Sequence, residues 1–403
     1  MKIIKGIGIS LLLIVVISVS GLYLTGHGYL VNAIKSTYLM GNKTANINDY
    51  RAFETTIIKS GAQKALPKHK NYNAAPLPAD FLTELHKYNT AALLVIKDGQ
   101  VLREHYLNGY HDRSKTNSFS MAKTITTMML GIAIEEGHIS DLDQPITDFL
   151  PEFKNDPLAQ TATIGHLSNM TSGYDWDENY YTPFSPTVEL VYGDDVTDFL
   201  LKGHFSAEPG TFWEYSSAST QLMGIFISRA LKKSGAARSL SDYLSRKIWQ
   251  PLQMNDDALW HTDEQSMELV FCCLNTNARN FAKLGLLMMN QGKWGQQQII
   301  PAGFIEKMIS PTKLALSDHK NKEKTETGKA YYGLSTWLAY DKKPAYYWLS
   351  GHLGQYVINI PEHNMVVVRL GEFNDKTLDY RKPHTIPNYI SKTYVRYALT
   401  LLE

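Results

Sequence analysis

The chain has 403 residues, of which 44% are apolar and 20% charged, and its formal net charge at pH 7 is +1. That balance supports a large buried core, excludes a disordered chain and gives no basis for a nucleic-acid partner. The two cysteines, Cys272 and Cys273, are adjacent. They exclude a disulfide-stapled scaffold and any Cys/His metal site, and they read as two small buried residues, because vicinal cysteines rarely close into a disulfide.

In chain order, Lys2 and Lys5 precede GIGISLLLIVVISVSGLYLTG, and no charge follows until after Ile34. A basic front before an apolar stretch of about 19 residues predicts a signal anchor over 1–25, near the length of a bilayer span. An uncleaved anchor is favoured over a cleaved signal peptide, for which Ser18-Val19-Ser20 is the small-residue site. The lysine-bearing end then stays cytoplasmic, and the remainder lies on the periplasmic side of the inner membrane, or is secreted after cleavage. Residues 26–80, punctuated by proline, read as a stalk and lead-in segment packed on the surface of the domain.

TAALLVIKDGQVLREHYL places two apolar runs around Asp98-Gly99, which predicts a β-hairpin with a tight primed turn. Residues 119–137 carry a helical pattern that stops at Gly137, a suitable C-cap. TATIGHLSNMTSGYDWDENYYTPFS predicts a short helix leading into an aromatic, acidic loop. From 190 to 300 the pattern is mostly helical, broken by AEPGTFWEYSS and NQGKWGQQQII. KNKEKTETGK at 320–329 reads as a solvated loop. AYYWLSGHLG, QYVINIPE and MVVVRLGEF predict late strands, and PNYISKTYVRYALTLLE a final helix. The early hairpin and the late strands can close one antiparallel sheet if the chain returns on itself.

Ser-x-x-Lys occurs three times, at Ser120/Lys123, Ser310/Lys313 and Ser317/Lys320. Only Ser120 opens a long apolar helix. Residues three apart share a helix face, so hydroxyl and amine meet there, and a helix N-terminus favours negative charge developing on oxygen. A lysine base must be neutral, which burial in an apolar setting promotes. The plain alternative is a capping serine with an outward lysine. Two further segments bear on the choice. FWEYSSAS puts Tyr215 and Ser217 after a Pro-Gly turn and before an apolar helix, where a phenol can relay a proton. SGHLGQY sets His352 between glycines, where backbone can approach a ligand and donate to an oxyanion.

Ser-x-x-Lys, then Tyr-x-Ser, then His-x-Gly on a late strand resembles the β-lactamase-related, penicillin-recognising (class C-like) serine hydrolases. With the connecting phrases AEPGTFWEYSSAS, LNTNARNFAKLGLLMMNQGKWGQQQIIPAGFI and GHLGQYVINIPEHNMVVVRL, the likeness spans about residues 85–400 and is greatest to the branch of carboxylesterases and aminohexanoate-dimer (nylon-oligomer) hydrolases. It implies an α+β fold: a central antiparallel sheet flanked by N- and C-terminal helices, with a helical lobe at roughly 140–320, in a domain at 81–403. It implies Ser120 as nucleophile, Lys123 as general base, Tyr215 in proton transfer, and an oxyanion hole from the N–H groups of Ser120 and of Gln355, just after His352-Leu353-Gly354. Ser217 and His352 stand where β-lactamases carry an asparagine and a lysine. Loss of that fixed cation points away from β-lactams and toward an ester or amide without an anion. In the loop at 174–181, Trp176 is expected against the acyl group, with Asp175 or Glu178 free to attract an amine. The expected activity is therefore that of an exported serine esterase or amidase without metal or cofactor, acting on a small molecule. The alternatives are a D,D-peptidase-like or β-lactamase-like enzyme acting on peptidoglycan or β-lactams, and a non-catalytic binding or sensor module. No Gly-x-Ser-x-Gly elbow is present to support an α/β-hydrolase triad.

Overall fold

The computed structural model describes residues 2–180, 182–312, 331–373 and 385–402, without the side chains of 2–6, 8, 11 and 385. The chain begins with α1 (Lys2–Leu24), α2 (Tyr29–Ser36) and β1 (Thr55–Ile58), then α3 (Ala79–Lys87), β2 (Thr90–Lys97), β3 (Gln100–Tyr106), β4 (Thr116–Asn117) and α4 (Met121–Glu135). The middle carries α5 (Ile164–Ser168), α6 (Pro186–Tyr192), α7 (Val196–Leu201), α8 (Ser217–Ser234), α9 (Leu240–Leu244), β5 (Ala258–His261), β6 (Leu274–Thr276) and α10 (Ala278–Met289). It closes with β7 (Lys293–Trp294), β8 (Gln297–Gln298), α11 (Ala302–Met308), β9 (Trp337–Ala339), β10 (Tyr346–Gly351), β11 (Gln355–Ile360), β12 (Met365–Gly371), α12 (Thr385–Ile390) and α13 (Arg396–Thr400).

The hairpin and the late strands do join one antiparallel sheet, in the order β3-β2-β12-β11-β10-β9. Asp98 and Gly99 both take left-handed backbone (φ 50° and 75°), as a primed turn requires. Both faces of the sheet are covered. In β2, Ala92, Leu94 and Ile96 face the core shared with α4, α8 and α10, while Leu93 and Val95 face α3 and the C-terminal helices. β12 alternates in the same way, with Val366 and Val368 on one side and Met365 and Val367 on the other. The period of two thus supplies two apolar faces, and a one-residue slip would exchange the two sets of packing partners. The predicted helix at 119–137 is α4, and it is buried from Met121 to Ala133.

Two expectations change. A second sheet, ordered β1-β5-β6-β4, lies within and beside the segment read as helical from 190 to 300. Its β5 and β6 have only four and three residues, too short to show alternation. The lead-in at 26–80 is also more than a stalk. Its β1 pairs with β5 through Thr55↔His261 to Ile58↔Ala258, and Ile47, Asp49 and Ile58 are buried.

Among the described residues no helix is long and apolar enough to cross a membrane. α1 nevertheless leaves Leu12, Leu13, Ile14, Val15, Val16 and Ile17 exposed. The predicted loop at 320–329, the pair Ser317/Lys320 and Lys313 lie outside the described residues.

Candidate active site

Ser120 is the N-cap residue of α4, yet its hydroxyl caps nothing. Ser216, the N-cap of α8, behaves conventionally and accepts from Ser219 N at 3.1 Å. The Ser120 hydroxyl instead accepts from Lys123 Nζ at 3.2 Å, one turn along the same face. The plain reading of a capping serine with an outward lysine therefore does not describe this pair.

Lys123 is 1% exposed. Its ammonium donates to Ser120 Oγ, to Ser217 Oγ at 3.0 Å and to Phe271 O at 3.0 Å. Three acceptors match three donors, so the buried group is satisfied without a direct carboxylate contact. Burial pushes its pKa down to about 8, and the negative charge of Glu178 acts in the opposite direction.

Tyr215 reaches the same point from the turn before α8. Lys123 Nζ lies 5.0 Å from its ring centroid, and the ring stacks on Trp337 at 5.7 Å. Trp213 and Tyr332 pack beside it, so the phenol is held by an aromatic wall. Ser120, Lys123, Tyr215 and Ser217 are thus gathered from segments almost a hundred residues apart.

Glu178 accounts for Ser217. The Ser217 hydroxyl donates to Glu178 Oε1 at 2.6 Å and its N–H to Oε2 at 2.8 Å. Trp176 Nε1 donates to Oε2 at 2.6 Å, and the Tyr180 hydroxyl donates to Oε1. A hydrogen-bonded chain therefore runs from Lys123 through Ser217 to a carboxylate. The amine-attracting role considered for Glu178 conflicts with this geometry, because both of its oxygens are engaged. Asp175 lies at the surface, 3.7 Å from His204 Nε2 and 3.4 Å from Ser206 Oγ. Trp176, expected against an acyl group, is buried in the core of the helical lobe near Phe199.

His352 comes to the site from the turn after β10. Its ring meets Phe119 edge-on at 5.6 Å and stacks on Tyr180 at 5.5 Å. Burial pushes its pKa down to about 4, so the imidazole is neutral at pH 7 and supplies no cation. Gly354 (φ 77°) completes a left-handed turn with Leu353 (φ 59°). The buried Arg369 guanidinium clamps this turn by donating to Leu353 O and Gly354 O, each at 2.9 Å.

Gln355, the expected oxyanion partner, lies in the sheet. Gln355 begins β11, an interior strand between β10 and β12, so its backbone belongs to the sheet ladder. Its side chain is spent on His352 O and Gly371 O. The strand that passes beside the Ser120 turn is β10. β9 pairs with β10 only through Tyr346, Tyr347 and Trp348, and a Cβ at Gly351 would collide with Ser118 O. Gly351 therefore lies directly against the turn that carries Ser120.

The cysteine pair is corrected too. Cys272 and Cys273 are joined by a vicinal disulfide. Cys273 takes left-handed backbone (φ 72°), which lets adjacent side chains turn to meet. The same turn presents Phe271 O to Lys123, and Trp260 Nε1 braces it by donating to Cys272 O at 2.9 Å. Among the described residues no group of three His, Cys, Asp or Glu side chains is placed to hold a metal.

The chain is 24% identical over 248 residues to a 6-aminohexanoate-dimer hydrolase of Paenarthrobacter ureafaciens, covering 59% of this chain and 61% of that protein. It is 28% identical over 189 residues to protein flp of Staphylococcus aureus, covering 44% and 36%. These matches span less than two thirds of either relative. A solved structure, a putative 6-aminohexanoate-dimer hydrolase from Bacillus anthracis, superposes with a TM-score of 0.71 at 22% identity, over 87% of this chain and 92% of that one. A family VIII carboxylesterase superposes with a TM-score of 0.57 at 16% identity, over 73% and 90%. Those superpositions describe a shared α+β fold. The profile of the Beta-lactamase family matches residues 79–382, and the chain belongs to that family.

Proposed function

We propose that this protein is a serine hydrolase that cleaves an ester or amide through an acyl-enzyme on Ser120. The observation that carries the reading is the buried Lys123, which contacts Ser120 and Ser217 and has its pKa pushed down to about 8. Neutral Lys123 takes the Ser120 proton as Oγ attacks the substrate carbonyl. The oxyanion is held by the Ser120 N–H, with a second donor from the backbone at the end of β10. Tyr215 passes the proton to the leaving alcohol or amine as the carbonyl–leaving-group bond breaks. Water then attacks the ester on Ser120 by the reverse route and releases the acid.

The neutral His352 offers no countercharge for a substrate carboxylate, and the oxygens of Glu178 are already engaged. An uncharged acyl group beside the aromatic wall suits such a site better than a β-lactam. The relative named a 6-aminohexanoate-dimer hydrolase makes a linear amide a natural test substrate. The test is hydrolysis of a short-chain p-nitrophenyl ester and of the matching p-nitroanilide, both uncharged, by wild type and Ser120→Ala. Turnover by wild type falling by about 10⁴-fold or more in the variant supports the reading. Equal rates would exclude Ser120 as nucleophile. Stable labelling by a fluorescent penicillin would favour the peptidase-like alternative, and absence of turnover on every substrate class would favour a binding module. Export with α1 held in the membrane belongs to the same proposal. Its support is the basic front and exposed apolar side chains of α1, and recovery of the intact chain in the soluble fraction would overturn it.

A further inference from the structure

The turn that carries Ser120 is held from outside the family-matched span. We infer that residues 46–49, ahead of residue 79 where that match begins, form a positioning element for the reaction: they fix the Ser120 turn relative to the turn at His352–Gly354. The inference rests on Ser120 being the nucleophile.

Phe119, just before Ser120, adopts φ 43°. A bulky residue in the left-handed region is strained and persists only where its surroundings over-determine it. Here the surroundings come largely from the lead-in segment. Phe119 N donates to Asn117 Oδ1 at 2.8 Å, and Asn117 Nδ2 donates to the buried Asp49 Oδ1 at 2.9 Å. Asn117 N donates to Ile47 O at 2.9 Å, so both ends of Asn117 are tied to residues 47 and 49. Apolar packing makes the second link. Ile47, 1% exposed, forms one cluster with Ala91 and Phe119, and Leu353 packs against that cluster. Leu353 is itself left-handed, and Phe119 also meets His352 edge-on. The same few side chains therefore join the Ser120 turn to the turn that directly follows β10, and so set how the end of β10 stands to Ser120. Glu372, beside the end of β12, accepts from Ile47 N at 3.4 Å and ties the lead-in segment to the sheet.

Stabilising an oxyanion depends on donors placed to within a fraction of an ångström, and a misplacement of about 1 Å can cost about 10²-fold in rate. Truncating Ile47 should loosen that placement without touching substrate. The experiment uses the full-length protein and the variants Ile47→Ala, Ile47→Val, Asp49→Ala and Asp49→Asn. Active sites are titrated with a fluorophosphonate, so that kcat is expressed per competent site, and KM and the inhibition constant of an alkylboronic acid are measured alongside. Ile47→Ala is expected to lose about tenfold in kcat per titrated site and a similar factor in boronate affinity, with KM within about twofold. Ile47→Val should recover most of the loss. Asp49→Ala should lose activity per site, and Asp49→Asn, whose amide oxygen still accepts from Asn117, should retain it. Unchanged kcat per site and boronate affinity in Ile47→Ala, with only fewer titratable sites or a lower Tm, would overturn the inference. If Ile47→Ala yields no folded protein, equal kcat per site in the two Asp49 variants overturns it. Failure of the underlying reading looks different: Ser120→Ala would then keep full turnover whatever the Ile47 variants do.

Discussion

Lys123 and Lys283 are each 1% exposed, and burial pushes both pKa values down to about 8, yet only one of them sits in a place where a proton can be exchanged. Lys283, on α10, donates to Lys64 O at 2.7 Å and Gln253 O at 2.5 Å. Backbone carbonyls accept but hold no proton to give, so this lysine pins the lead-in segment to the helix. Lys123 meets two hydroxyls, each of which can also release a proton. A depressed lysine pKa therefore reports burial, and the identity of the neighbours decides whether the group can act as a base.

That contrast can be broken by mutation. Lys123→Ala should lower the acylation rate by about 10³-fold, as removal of a general base does, measured by stopped-flow release of p-nitrophenol. A loss below about tenfold would mean that the two lysines differ little. Glu178→Gln should sharpen the contrast more gently. Glu178 raises the pKa of Lys123, so removing its charge should move the acid limb of kcat/KM to lower pH, read from a profile between pH 5 and 10. A limb that stays in place would detach Glu178 from the proton chain. Lys283→Ala should have the smallest effect on activity, leaving kcat per titrated site within about twofold. It should destabilise by about 1–3 kcal/mol in urea titration, because two buried carbonyls lose their donor.

The pH dependence of stability follows with its sign. A lysine whose folded pKa lies below the unfolded value carries a penalty that is fully present below about 8 and gone above about 10.5. Between those limits the unfolded chain binds more protons, so stability rises with pH. In Lys283→Ala the part of that rise due to Lys283 should disappear.

Much of the site was legible because its chemistry is carried by residue types in order. Ser120, Lys123 and Tyr215, singled out by motif order, are brought together by the fold, and the sheet follows from apolar runs bounded by Asp98-Gly99 and the late turns. What escaped was set by tertiary placement. Glu178 stands in an aromatic, acidic loop that reads equally as solvated surface, and only the fold turns it onto Ser217. Gln355 was a reasonable oxyanion donor by motif, but sheet order puts it in an interior strand, and β9 pairs with β10 only as far as Trp348. The Cys272-Cys273 bridge depends on a left-handed residue that adjacency alone does not announce. Asp49 and Asn117 meet across 68 residues, a distance at which no local pattern speaks.

The most direct measurement of the central claim is fluorophosphonate labelling followed over pH, with peptide mapping of the adduct. The account predicts a single adduct on Ser120, forming about tenfold faster per pH unit up to about 8 and lost in Lys123→Ala. An adduct on Ser217 or elsewhere, or a labelling rate unchanged by pH and by loss of Lys123, would contradict it.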